Sequence, residues 1–87
     1  MLLFVKYFHK SGMKYETFQK RFAKRVVELR KQKGITQESM EDHVEGLSYR
    51  TMQQIEQCRT SPNLRTLFAL AQGLGIKVRD LLDEIED

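Results

Sequence analysis

The sequence predicts an all-α fold of five helices, and three observations lead there. Over most of the chain apolar residues recur every three or four positions rather than every second one. Helix-starting and helix-stopping residues fall between those stretches. A length of 87 residues, 40% hydrophobic and 31% charged, suffices for one domain with one small core. Such a chain has room for a single binding surface but not for a deep catalytic cleft with its own supporting shell.

The first helix is predicted over residues 15–33, where Phe18, Phe22, Val26 and Leu29 draw an amphipathic stripe. Gly34 stops it after a basic last turn of Arg30, Lys31 and Lys33, cations that suit the negative end of the helix dipole. Thr36 caps a second helix over about residues 37–44, with Met40 and Val44 inward and Glu38 near its positive end. Glu45, Gly46 and Leu47 form a turn. Ser48 then caps a third helix, and Leu47 packs on Met52 across that cap as a hydrophobic staple. The fourth helix begins near residues 61–63, where Pro62 is tolerated, and Leu64, Leu67, Phe68, Leu70, Ala71 and Leu74 form its buried face. Gly73 and Gly75 bracket its end. A fifth runs over about residues 78–85 with Leu81 and Leu82 inward.

The third helix carries the most informative surface. At about 100° per residue, Tyr49, Arg50, Gln53, Gln54 and Gln57 fall within an arc of roughly 140° that contains no carboxylate, while Met52 and Ile55 point the other way. Such a face suits an anionic partner with base edges to read. In the major groove of double-stranded DNA, Arg pairs with guanine and Gln with adenine through two parallel hydrogen bonds.

Charge agrees with that partner. The net charge of +3 is unevenly spread: residues 1–33 hold ten Lys or Arg against Glu16 and Glu28, whereas Asp80, Asp83, Glu84, Glu86 and Asp87 make an acidic end. Lys20, Arg21, Lys24 and Arg25 either approach phosphate or merely solubilise the first helix, and composition leaves both open. The single Cys58 forms no internal disulfide, so a reducing cytoplasm is the expected compartment. The apolar run at residues 2–8, broken by Lys6, is too short to span a membrane. His9, His43 and Cys58 lack metal-ligand spacing, and His43 reads as a half-buried imidazole. Neither Cys58 nor Ser48 has an evident base and orienting partner, and there is no glycine-rich phosphate loop. No metal, cofactor or catalytic residue is therefore expected, and the chain is not read as an enzyme.

Residues 22–82 resemble the helix-turn-helix family of phage repressors and Cro, the xenobiotic-response-element type. The segments RVVELRKQKGITQE, LSYRTMQQIEQ and SPNLRTLFALAQGLGI carry the likeness, with Gln37, Ser48, Ile55, Glu56, Pro62 and Leu67 at the family's spacing. The resemblance implies a five-helix domain whose second and third helices form the motif, and a homodimer that sets two recognition helices ~34 Å apart on one face of a near-palindromic operator. It also implies roles. Tyr49, Arg50 and Gln54 would reach base edges, with Gln53 a weaker candidate; Gln37, Ser48, Arg59 and Thr60 would hold phosphates; Arg30 and Glu56 would pair across the first and third helices.

Three positions depart from the family pattern. The turn EGLS is one residue longer than usual, which shifts the angle of the third helix. Glu41 stands where a small residue is preferred, so it must rotate outward or the helices must cross more widely. Cys58 stands where Gly usually ends the third helix in a left-handed conformation that costs other residues ~1 kcal/mol.

The expected organisation is an N-terminal extension, residues 1–14, and a helix-turn-helix domain, residues 15–87. The extension's Leu2, Leu3, Phe4, Val5, Tyr7 and Phe8 have strand-forming character. Two readings stand side by side: a strand pairing two copies, or a disordered or accidental segment ahead of Met13, itself a credible start for the domain. The leading functional expectation is a sequence-specific DNA-binding regulator of transcription. The alternative is a protein-interaction module, an antitoxin or adaptor with a protein partner and DNA binding secondary.

Overall fold

Why a short polar-faced helix should stand firm on this chain is answered by what lies beneath it. The computed structural model describes residues 12–86, and among them five α-helices run in order: α1 Tyr15–Gln32, α2 Met40–His43, α3 Tyr49–Glu56, α4 Leu64–Leu74 and α5 Val78–Leu81. The apolar run at residues 2–8, for which a strand was one expectation, lies outside the described residues.

One core joins all five helices. Phe22, Val26 and Leu29 of α1 meet Met40, Leu47, Met52, Ile55, Leu70, Leu74, Leu81 and Ile85. Leu47 and Met52 are both buried there, one before and one after the Ser48 cap, at the staple positions. Helix α1 lies against α3 and α5, and α2 is wedged between α3 and α4.

The second helix is shorter than the predicted 37–44. Thr36 and Ser39 cap each other reciprocally: Ser39 N–H donates to Thr36 Oγ1 and Thr36 N–H to Ser39 Oγ, each at 3.0 Å. That reciprocal pair is a capping box at the predicted cap, and residues 37–39 follow it as a turn whose bonds span three residues, Glu41 N–H to Glu38 O at 3.2 Å and Asp42 N–H to Ser39 O at 3.0 Å. Glu41 is exposed, so outward rotation accommodates it. His43 is exposed rather than half-buried, its Nδ1 2.7 Å from the carbonyl of Ser39.

Close approach to α2 comes instead from α4. Gly73, expected at that helix's end, lies within it, and a Cβ there would stand 2.8 Å from Met40 Cε and 3.4 Å from Val44 Cγ1. Pro62 falls before α4, whose cap is Asn63: Thr66 N–H donates to Asn63 Oδ1 at 2.8 Å. Leu64 and Phe68 are not on the buried face but 77% and 55% exposed. On the helix they point roughly 100° and 140° away from the mean direction of Leu70 and Leu74. The last helix closes after Leu81, and Ile85 reaches the core from the turn beyond.

The basic face of α1 is partly spent inside the fold. Arg25 Nη2 donates to the carbonyl of Asp80 at 2.8 Å and Arg21 Nη1 to that of Ile85 at 3.3 Å, which ties α1 to the C-terminal end. Lys20 and Lys24 remain exposed.

Candidate nucleic-acid interface

Eight residues are too few for an isolated helix to persist in water, where about 12–15 are marginal. Three local devices hold α3. At its start Ser48 Oγ accepts from Thr51 N–H at 3.1 Å, a side-chain cap on an otherwise unpaired donor. Along its length Met52 and Ile55 are buried, each contributing about 2 kcal/mol relative to exposure. At its end Cys58 adopts φ 60°, with Cys58 N–H bonded to Ile55 O at 3.1 Å and Arg59 N–H to Gln54 O at 2.8 Å. Gly34 after α1 and Gly75 after α4 close their helices by the same pair of bonds. The cysteine therefore does a glycine's task.

A fourth device fixes the helix relative to the rest of the domain. Arg30 Nε and Nη2 donate to Glu56 Oε2 and Oε1 at 2.8 and 3.1 Å, and the paired side chains are 11% and 7% exposed. Gln37 Nε2 donates to the same Oε1 at 2.8 Å, and Arg30 Nη1 to the carbonyl of Ile35 at 2.8 Å. One carboxylate thus joins α1, the start of the motif and the last turn of α3. Glu56 is turned inward, so its charge does not compete with the outward face.

Outward, Tyr49, Arg50 and Gln57 are exposed, and Gln53 and Gln54 are half-buried at the same surface. Gln53 Nε2 donates to the Tyr49 hydroxyl at 3.0 Å, bracing the ring across one turn. Beyond the helix Arg59 is exposed and Thr60 half-buried. A polar hollow of about 200 Å³ opens between α3 and the segment after it, with Thr51, Gln54, Thr60, Ser61, Asn63 and Thr66 in its lining. Gln54 and Thr60 thus meet at one hollow, Tyr49, Arg50 and Gln53 lie on the same outward arc of α3, and Ser48 stands at the opposite end of that helix from Arg59. Two side chains named for phosphate have other engagements: Ser48 Oγ belongs to the cap, and one amide hydrogen of Gln37 goes to Glu56.

The structure also brings in residues that no sequence pattern singled out. Gln19 Nε2 reaches the carbonyls of Thr60 and Cys58 at 3.2 and 3.4 Å, and the Tyr15 hydroxyl meets Ser61 Oγ. These contacts join positions about forty residues apart, so no local pattern announces them. Among the described residues no group of three or more His, Cys, Asp or Glu is arranged to hold a metal ion.

A capped helix, packed at a turn on a shorter one and presenting polar, carboxylate-free side chains, defines the helix-turn-helix class of DNA-binding proteins. The helix-turn-helix family model matches residues 26–81, and the chain belongs to this family, of the phage repressor and Cro, or xenobiotic-response-element, type. It is similar to y4dJ of Sinorhizobium fredii, an uncharacterized HTH-type transcriptional regulator. The two are 36% identical over 59 residues, 68% of this chain and 75% of that protein. It is also similar in structure to the restriction-modification controller protein C.AhdI from Aeromonas hydrophila. That match has a TM-score of 0.67 at 30% identity, over 72% of this chain and 94% of the other. At this level the function is DNA binding in the regulation of transcription.

Proposed function

We propose that the protein is a sequence-specific regulator that binds a near-palindromic operator as a homodimer and acts in the cytoplasm by occluding or recruiting polymerase, without catalysis of its own. In this reading Tyr49, Arg50 and Gln54 read base edges, with Gln53 bracing Tyr49 and contributing less. Arg59, Thr60, Ser48 and the remaining amide hydrogen of Gln37 hold phosphates. The observation that carries the proposal is the α3 face itself: its outward side chains match major-groove donors and acceptors, and its inward ones are locked by the core and by Arg30 and Glu56. Support for a homodimer comes from exposed Leu64 and Phe68, one turn apart on α4 and apolar where a monomer gains nothing from displaying them.

Affinity in this scheme comes mainly from phosphate contacts and falls steeply with salt, whereas α3 supplies discrimination. Selection of bound sequences from random duplex DNA by the purified full chain tests it. The expected outcome is one enriched sequence with two inverted half-sites whose centres lie about one helical turn apart. A chain that enriches no sequence, yet holds another polypeptide tightly, is instead an interaction module.

A further inference from the structure

The loop that follows the recognition helix is held from the side by α1. Tyr15 and Gln19 stand four residues apart on one face of that helix. The primary amide of Gln19 carries two hydrogens, and its nitrogen lies 3.2 Å from the carbonyl of Thr60 and 3.4 Å from that of Cys58. Thus one side chain bridges two carbonyls that flank Arg59. Tyr15 adds a hydroxyl contact to Ser61 Oγ, at the far end of the same loop. Cys58, where the loop departs, is at φ 60°.

We propose that Gln19, seconded by Tyr15, is a positioning residue for the phosphate contacts of Arg59 and Thr60. It fixes the loop's backbone before DNA arrives, so that the contacts form without a further ordering cost. The role rests on the DNA-binding reading of the preceding section. The chemistry selects glutamine. A glutamate of the same length brings no donor and sets a negative charge against two carbonyl oxygens, and a leucine of similar bulk offers neither hydrogen bond. Gln19 is half-buried and turned to the loop, so it acts through Arg59 and Thr60 and not through bases.

The test measures binding of the full chain to the duplex it selects from random-sequence DNA, and to a scrambled duplex, across a series of KCl concentrations. Q19L, verified as folded by its helical circular dichroism, is expected to bind the selected duplex about five- to tenfold more weakly. The slope of log affinity against log salt should fall by roughly one per protomer, as for one lost phosphate contact, while the ratio of selected to scrambled affinity holds. R59A should show the same loss of slope, and the double variant no more than R59A alone. A merely structural role moves melting temperature but leaves the slope. An unchanged slope in Q19L, or additive slope losses in the double variant, overturns the proposal. If Q19L does not fold, Y15F serves: it removes one hydroxyl from an exposed ring, a reduced slope supports the positioning role, and a wild-type slope overturns it. A wild-type chain that selects no duplex overturns the DNA-binding reading and this role with it. A binding wild type with an unaffected Q19L overturns this role alone.

Discussion

Arg30 and Glu56, 26 residues apart, meet through two parallel hydrogen bonds at 2.8 and 3.1 Å, and Gln37 donates to the same carboxylate. Little solvent reaches the pair, so each charge depends on the other for compensation. The recognition helix is thereby set at a fixed angle to α1 in the absence of DNA.

Removing one member is expected to cost more than removing both. E56A should destabilise the domain by about 3 kcal/mol in urea denaturation, because it strands the Arg30 guanidinium. The double variant R30M/E56L, apolar at both positions, should recover a large part of that loss. A single variant no less stable than the double would contradict this account of the pair.

Replacing Cys58 by Gly is expected to leave stability equal or raise it by about 1 kcal/mol, since the left-handed conformation at φ 60° costs a residue with a Cβ and not glycine. The thiol lies 3.9 Å from the carbonyl of Gln19, a weak contact whose loss subtracts little. In a thermal melt the gain corresponds to roughly 4–8 °C for a domain of this size. A clear fall in melting temperature would show that the thiol holds the loop.

Arg50 and Arg59 should fail differently. R50A is expected to relax specificity at one guanine in each half-site, losing about 1–3 kcal/mol on the selected duplex and much less on random DNA. R59A should weaken binding to both nearly alike. Competition binding on single-base variants of the selected duplex separates them. Equal losses for R50A on selected and random DNA would remove it from the base-reading set.

The double variant L64E/F68E is expected to yield a folded monomer. Both side chains are largely exposed, so the intrinsic stability of the protomer should change by only about 0.5 kcal/mol, while two carboxylates per protomer would be forced together in an α4-mediated dimer. Sedimentation equilibrium reads the result. Undiminished dimerisation would place the contact elsewhere on the surface.

The five helices were legible because their signals are local. The stripe of Phe18, Phe22, Val26 and Leu29, the stop at Gly34, and the Ser48 cap with its Leu47 and Met52 staple each lie within about three turns, and each recurs in the structure. Two elements differ from their local signals. After the Thr36 and Ser39 capping box the backbone takes tighter bonds spanning three residues, which shortens α2, and the apolar residues of α4 span more of its circumference than the core covers, which leaves Leu64 and Phe68 outside. The α3 face was legible for the same reason as the helix: a period of about 3.6 assigns direction once Met52 and Ile55 are known to be inward.

By itself, then, the sequence determined the fold class, the helix-turn-helix signature and which side of the third helix looks outward, all properties of short spacings and end-caps. Tertiary structure alone decided that Gly73 gives Met40 its room, that Arg21 and Arg25 are spent on the carbonyls of Ile85 and Asp80, and that Gln19 clasps the loop carrying Arg59. The first depends on which helices cross, and the others on where distant backbone carbonyls come to lie. Every residue carries such an acceptor, so no residue type marks it in advance, and only packing of the helices selects which donor each one meets.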